Sequence, residues 1–167
     1  MKCLLAFLGS ALLLSAAVTP SSFAASTPTI SQVFGFSCNQ NFTSCPNGFD
    51  PALLPVQLSN GLLYGTTWWA GQGTANAGGT VFQISTAGKV TVLHTFSPGP
   101  GNNFLRGENP VLGFVLGKDG AFYGVTESGG AHKAGVFYKV TTGGAFQVLY
   151  NFCSLSGCPD GPRDRPR

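Results

Sequence analysis

The feature that most constrains this chain is a segment that occurs twice. The first copy, Asn60–Thr67, reads NGLLYGTT, and the second copy, Asp119–Thr126, reads DGAFYGVT. The similarity extends without a gap back to Gly48 in the first copy and Gly107 in the second. Internal repetition with a period of this length indicates an architecture assembled from repeated supersecondary units. The repeat therefore predicts the architecture of the fold and does not indicate an activity or a ligand.

Each copy contains four short apolar runs separated by glycine-bearing turns. Asn60-Gly61 and Asp119-Gly120 predict type I′ hairpin turns, because these residue types tolerate positive φ. The predicted strands are 53–58, 62–67, 80–84 and 90–96 in the first copy, and 111–116, 121–126, 135–140 and 146–152 in the second. A further strand is predicted at 31–36, and a loop at 39–50. No segment after position 25 sustains a helical apolar period, so we expect an all-β protein.

The composition excludes two other classes of protein. Charged residues make up only 9% of the chain, against about 25% in ordinary soluble domains. Intrinsic disorder requires high charge and low apolar content, whereas 43% of these residues are hydrophobic. The formal charge of +3 is not organised into a basic stripe, so we expect no nucleic-acid partner.

Residues 1–25 have the pattern of a secretory signal peptide. Lys2 precedes an apolar run at 4–17, and Ser22 and Ala24 place small residues at positions −3 and −1 of a cleavage site. The run is short for a membrane span, and we expect none after cleavage. The mature protein is expected to be secreted or held at the cell surface. Residues 26–33 are interpreted as a linker and strand entry.

Four cysteines follow the signal segment. An even number in an exported chain favours disulfides, and the short turn-rich loops favour the local pairs Cys38 with Cys45 and Cys153 with Cys158. A zinc site is the alternative, and it would require the two pairs to converge across the fold. We predict no metal and no cofactor.

A four-stranded unit of this length with glycine turns is typical of a propeller blade. The motifs Leu63–Thr67 (LYGTT) and Gly79–Ile84 (GTVFQI) resemble the GloVer (Gloeobacter/Verrucomicrobia) tandem repeat of exported bacterial proteins. The resemblance covers about residues 34–161, and the second copy departs from the motif at Phe122, at Val125 and at 135–137. It implies an extracellular repeat protein and brings no activity with it.

The repeats divide the chain into blades. We assign 34–97 to repeat 1, 98–152 to repeat 2, and 153–167 to the truncated start of a third repeat with a disordered tail. The predicted fold is two four-stranded antiparallel propeller-like blades, and a compact β-sandwich is the alternative. Because propellers usually close with four to eight blades, two blades leave apolar faces uncovered. We therefore expect self-association, or a chain cut from a longer array.

Three features suggest a ligand-binding surface. Adjacent residues in a strand face opposite ways, so at least one of Trp68 and Trp69 should lie outside the core, where an indole can stack on a sugar ring. Glu127, near a glycine-rich loop, is the carboxylate we expect to be free, and His132 lies in an exposed loop. A packing role is the alternative for the tryptophans. His94 is expected in the core or an interface.

No catalytic signature accompanies these candidates. A glycosidase needs two carboxylates that face each other across a cleft, and Glu127 is a single candidate. Neither a Gly-x-Ser-x-Gly elbow nor a His-Glu-x-x-His helix is present in the sequence. We therefore predict an exported, non-catalytic binding or scaffolding module with a polysaccharide or another cell-surface molecule as ligand. The alternative is a propeller-type glycoside hydrolase or lyase acting on polysaccharide.

Overall fold

The computed structural model describes residues 32–39, 44–52, 55–71 and 77–161. The predicted signal peptide, most of the linker and the tail after residue 161 lie outside these residues. Within them the fold is all-β, as predicted, and contains two antiparallel sheets joined by a single turn of 3-10 helix at Pro100–Asn102.

Sheet 1 is formed by the first repeat. Its strands are β1 (Phe49–Pro51), β2 (Val56–Gln57), β3 (Leu63–Trp69), β4 (Thr80–Ile84) and β5 (Val90–Thr95). Both β1 and β2 pair with β3, followed by β4 and β5 in order. The predicted loop at 39–50 is wrong at its end, because Phe49 and Asp50 belong to β1.

Sheet 2 is formed by the second repeat. Its strands are β6 (Glu108–Leu116), β7 (Phe122–Ser128), β8 (Val136–Val140) and β9 (Phe146–Asn151), hydrogen-bonded in that order. In the repeat alignment β7 is the counterpart of β3, β8 of β4, and β9 of β5. The two sheets are the predicted propeller-like blades.

The hairpin turns are one residue longer than predicted. Gly61 N–H donates to Leu58 O at 2.9 Å, and Leu58 N–H donates to Leu62 O at 3.1 Å, which encloses a three-residue loop. Gly61 has a φ of 78°, whereas Asn60 is not in the left-handed region. This is a type I turn followed by a left-handed glycine, so the predicted type I′ turn is wrong. The same pattern occurs at 86–88, 118–120 and 142–144.

One hydrophobic core lies between the sheets. Directly paired residues of neighbouring strands share a face, and the face of sheet 1 that includes Tyr64 and Val81 packs on sheet 2. We call this the second face of sheet 1. Sheet 2 meets it with its own first face, which carries Phe122, Tyr138 and Val140. All five side chains are at most 1% exposed.

A segment before β1 lies across the other face of sheet 1, which we call its first face. The Phe36 ring lies 4.7 Å from the Phe82 ring, and Phe82 is 4% exposed. The strand predicted at 31–36 is wrong over its described part, since residues 32–36 are not in a strand. The physical reason is that this segment crosses the face of the sheet and packs with its side chains.

Both cysteine pairs close local loops. Cys38 lies at disulfide distance from Cys45, and Cys153 from Cys158. Cys45 is 2% exposed, and its loop packs on the first face of sheet 1, where Thr80 Oγ1 donates to Asn47 O at 3.3 Å. Each pair is the local one that the turn-rich loops predict.

Candidate functional site

The two tryptophans lie at the end of β3. Trp69 is 47% exposed and Trp68 is half-buried, while their rings are stacked at 5.6 Å between centroids with 29° between planes. The following residue, Ala70, has a φ of 58° and bends the chain out of the strand. This bend marks the point where regular side-chain alternation ends. The result is a stacked indole pair with one ring open to solvent.

Glu127 fixes the inner indole. Trp68 Nε1–H donates to Glu127 Oε2 at 3.3 Å, and the two residues occupy equivalent positions in the two repeats. The carboxylate that we expected to be free therefore has a partner and couples the ends of β3 and β7. Because an indole N–H is a single donor, this bond selects one orientation of the Trp68 ring.

Asn109 holds the same end of β3 through hydrogen bonds. Its Nδ2 donates to the Trp68 main-chain oxygen at 2.9 Å, and its Oδ1 accepts from Ser128 Oγ at 3.3 Å. Asn109 is 7% exposed and has a φ of 57°, a left-handed conformation that asparagine tolerates better than most residues. The indole pair is thus held through both backbone and side chain.

A cleft opens at the same end of sheet 2. It has a volume of about 420 Å³ and lies between the segment before β6 and the loop that joins β7 to β8. Its lining combines the apolar side chains Phe104 and Leu105 with the carboxylate of Glu108 and the ammonium group of Lys133. The lining is therefore mixed, with polar and apolar groups in similar proportion.

Main-chain hydrogen bonds define the shape of the cleft. Gly130 N–H donates to Phe104 O at 2.7 Å, and Gly135 N–H donates to Gly129 O at 2.9 Å. A Cβ on Gly129 would lie 2.6 Å from Phe104 O, so only glycine allows this approach. Ala131 N–H donates to Asn151 Oδ1 at 2.8 Å and ties the loop to β9.

The candidate residues are only partly brought together. Trp68, Trp69 and Glu127 form one cluster, whereas His132 is exposed in the loop beside Lys133 and has no described contact with that cluster. The sequence analysis missed Leu105, which is 61% exposed at the cleft. A leucine in a polar, glycine-rich connection is the signal that could have identified it.

The carboxylates of this region do not form an evident catalytic pair. Among the described residues that line the cleft, Glu108 is the only acid, and it faces a site that also contains Lys133. Glu127 is engaged with Trp68 instead. The region therefore contains one carboxylate that is engaged by an indole and one acidic residue that lines the cleft.

Antiparallel sheets of five and four strands that share a turn geometry and pack face to face define an all-β repeat protein of the propeller-like class. The family model of the Gloeobacter/Verrucomicrobia repeat matches residues 23–163. The chain therefore belongs to this repeat family, as its motifs predict. No curated protein and no solved structure matches the chain. Among the described residues, no helix has the length and apolarity needed to cross a membrane.

Proposed function

We propose that the protein is an exported, non-catalytic binding module that holds a polysaccharide or another glycosylated cell-surface molecule on the Trp68–Trp69 pair. The observation that carries the proposal is the exposed Trp69 ring, stacked on an indole that Glu127 holds in place. Sugar rings present C–H groups that pack on aromatic faces, and their hydroxyl groups bond to neighbouring polar atoms. The cleft with Glu108 and Lys133 supplies such atoms at the end of sheet 2 where Glu127 lies.

Export is part of the proposal and rests on two observations. Residues 1–25 have the charge, apolar run and cleavage residues of a signal peptide. Four of the cysteines lie in two pairs at disulfide distance, a pattern of oxidising compartments. N-terminal sequencing of the protein from the culture medium or cell surface should find Ala25 or Ser26, at the end of this segment, as the first residue. Recovery only inside the cell, with Met1 retained, would refute this part.

Binding is tested with the mature chain on a panel of insoluble polysaccharides and by affinity electrophoresis in soluble ones. We expect Trp69→Ala to weaken retention about fivefold, because stacking on one ring contributes on the order of 1 kcal/mol. Leu116→Ala is the matched control, since Leu116 is 40% exposed at the opposite end of sheet 2. Equal retention of Trp69→Ala and the wild type would exclude binding on the Trp68–Trp69 pair.

A polysaccharide hydrolase or lyase is the second candidate, favoured by the carboxylate of Glu108 in the cleft. It predicts release of reducing or unsaturated ends from the bound polymer and loss of that release in Glu108→Gln. Activity that persists in Glu108→Gln would exclude this assignment of the acid. Binding without any release supports the non-catalytic module.

A further inference from the structure

The face of sheet 1 that packs on sheet 2 has a counterpart in the second repeat. On the second face of sheet 1, Tyr64 is 1% exposed and lies 4.9 Å from the Phe122 ring of sheet 2. The counterparts of Tyr64 and Val81 in the second repeat are Tyr123 and Phe137. These two lie on the opposite side of sheet 2 from Phe122, with their rings stacked at 6.0 Å. We call this side the second face of sheet 2.

The counterparts differ in exposure. Val56 packs against the core between the sheets, whereas its counterpart Val115 is 72% exposed. Leu93 packs against the same core, whereas its counterpart Leu149 is 41% exposed. The second face of sheet 2 is therefore an apolar surface with the residue pattern of an established interface, and it is open to solvent.

Two opposite charges on this face neutralise each other. Lys139 Nζ lies 2.7 Å from Asp119 Oδ2, and the Tyr123 hydroxyl donates to the same oxygen at 2.8 Å. Lys139 also lies 5.7 Å from the centre of the Tyr123 ring. Because Lys139 and Asp119 pair with each other, this part of the face can accept an apolar partner without leaving either of their charges unpaired. Tyr150, which pairs with Phe137 and shares its face, donates its hydroxyl to the Asp160 carboxylate.

The partner that fits is defined by the existing interface. In this protein a second face packs on a first face, and the chain has one other first face, that of sheet 1 with Leu63, Phe82 and Ile84. That face is covered by residues 32–36 through the Phe36–Phe82 contact and, at its Thr80 end, by the Cys38–Cys45 loop. The covering segment forms no strand, and Gln32, Val33 and Gly35 are exposed. It is a cap held by side-chain packing and tethered at its end by the Cys38–Cys45 pair.

We propose that the second face of sheet 2 binds the first face of sheet 1 in a second copy of this chain, after the cap of that copy has moved aside. The contact is heterologous, so copies add head to tail. The cap limits this growth because it occupies the same face as the incoming sheet. The proposal is independent of sugar binding by the Trp68–Trp69 pair, so Trp69→Ala should form the same complex with a cap-loosened chain as the wild type does.

The test uses two signal-cleaved chains, and each of them exposes one of the two contacting faces. The wild type has its cap in place and an open second face. The variant Phe36→Ser with Val115→Lys loosens the cap and places a charge on its own second face. Sedimentation velocity should show a single-copy species for each chain alone and a one-to-one complex for the mixture. Phe36→Ser alone should form a concentration-dependent series of larger species.

A charge-matched control identifies the surface. Leu105 is 61% exposed and lies outside the second face of sheet 2, so Phe36→Ser with Leu105→Lys should assemble as Phe36→Ser does. Val115→Lys should weaken assembly at least about tenfold, since it places a charge in a desolvated contact. Equal assembly of the Val115→Lys and Leu105→Lys chains would overturn the proposal.

Two further outcomes would also overturn it. Dimers of the wild type alone, abolished by Val115→Lys, would show that like faces pair with each other. A mixture that stays uncomplexed, with both chains folded by circular dichroism, would show that the faces do not bind. If Phe36→Ser does not fold, Phe34→Ser replaces it. The Phe34 ring packs on the Phe36 ring, with 5.1 Å between the ring centres, and no ring contact joins Phe34 to Phe82 among the described residues.

Discussion

The imidazole of His94 lies flat on the ring of Phe146, with 3.8 Å between the ring centres and 5° between the planes. The contact joins β5 of sheet 1 to β9 of sheet 2, so His94 is an interface residue, as its place in the strand pattern predicts. Its Nε2 has no hydrogen-bond partner among the described residues. Burial, and next the charge of Arg106, lower the pKa of His94 to about 4.

This pKa makes the stability of the fold depend on pH. The unfolded histidine binds a proton near pH 6.5 and the folded one only near pH 4, so stability is complete above pH 6.5 and is lost as the pH falls towards 4. The loss amounts to about 3 kcal/mol. Urea unfolding at pH 7 and pH 4 should show a smaller difference for His94→Phe, which keeps the stacked ring. An unchanged difference would mean that His94 is not the group responsible.

Gly124 allows the close approach of a buried tyrosine. A Cβ at this position would lie 2.5 Å from the Tyr138 hydroxyl oxygen and 2.6 Å from its Cζ, and Tyr138 is 0% exposed. Since the ring cannot move aside, Gly124→Ala should destabilise the protein by about 1–3 kcal/mol. Gly143→Ala is the control, because its Cβ would meet nothing closer than Thr141 Oγ1 at 3.9 Å. Thermal unfolding of both variants measures the contrast.

Phe122 and Tyr123 are neighbours on opposite faces of β7 and should respond differently to truncation. Phe122 is 0% exposed between the sheets, so Phe122→Ala should cost about 3–5 kcal/mol. Tyr123 is half-buried on the open face and bonds to Asp119, so Tyr123→Ala should cost about 1 kcal/mol. Chemical denaturation of the isolated single-copy species compares them. Similar losses would contradict the assignment of the two faces.

The cysteine pairs predict a specific peptide map. Digestion without reductant should link Cys38 to Cys45 and Cys153 to Cys158, whereas cross-pairs or free thiols would contradict the structure. The double variant Cys38→Ser with Cys45→Ser should lose about 2 kcal/mol in stability, because the closed loop is short. Limited proteolysis should then cut the cap at 32–36 faster than in the wild type.

The positions of the strands could be predicted because two local signals agree. A short apolar run bounded by glycine-bearing turns marks a strand such as β4, whose predicted and observed bounds agree at Thr80–Ile84. Side-chain alternation marks the last strand of each repeat, β5 and β9. Glycine marks each turn, since Gly61, Gly88, Gly120 and Gly144 all have φ between 75° and 87°. The turn type was wrong because Asn60 and Asp119 act through their side chains: each accepts a hydrogen bond from the main chain two residues on.

The candidate site could be predicted only in part. The tryptophan pair stood out because it interrupts the repeat, but the sequence offered no reason to pair Trp68 with Glu127. The cleft was missed because Glu108 and Lys133 are separated by two strands and meet only through the hydrogen bonds of the intervening loops. Such convergence depends on tertiary structure, since neither residue signals the other along the chain.

The sequence by itself determined that the chain is a repeated set of four strands, because side-chain alternation and glycine turns are local properties. It also determined which residues share a face, since that follows from a period of two. Only the tertiary structure decided which faces are covered: the second face of sheet 1 by sheet 2, and its first face by the cap. The reason is that both faces of each sheet are apolar and hydrophobic burial has no direction, so strand pattern alone cannot choose between them.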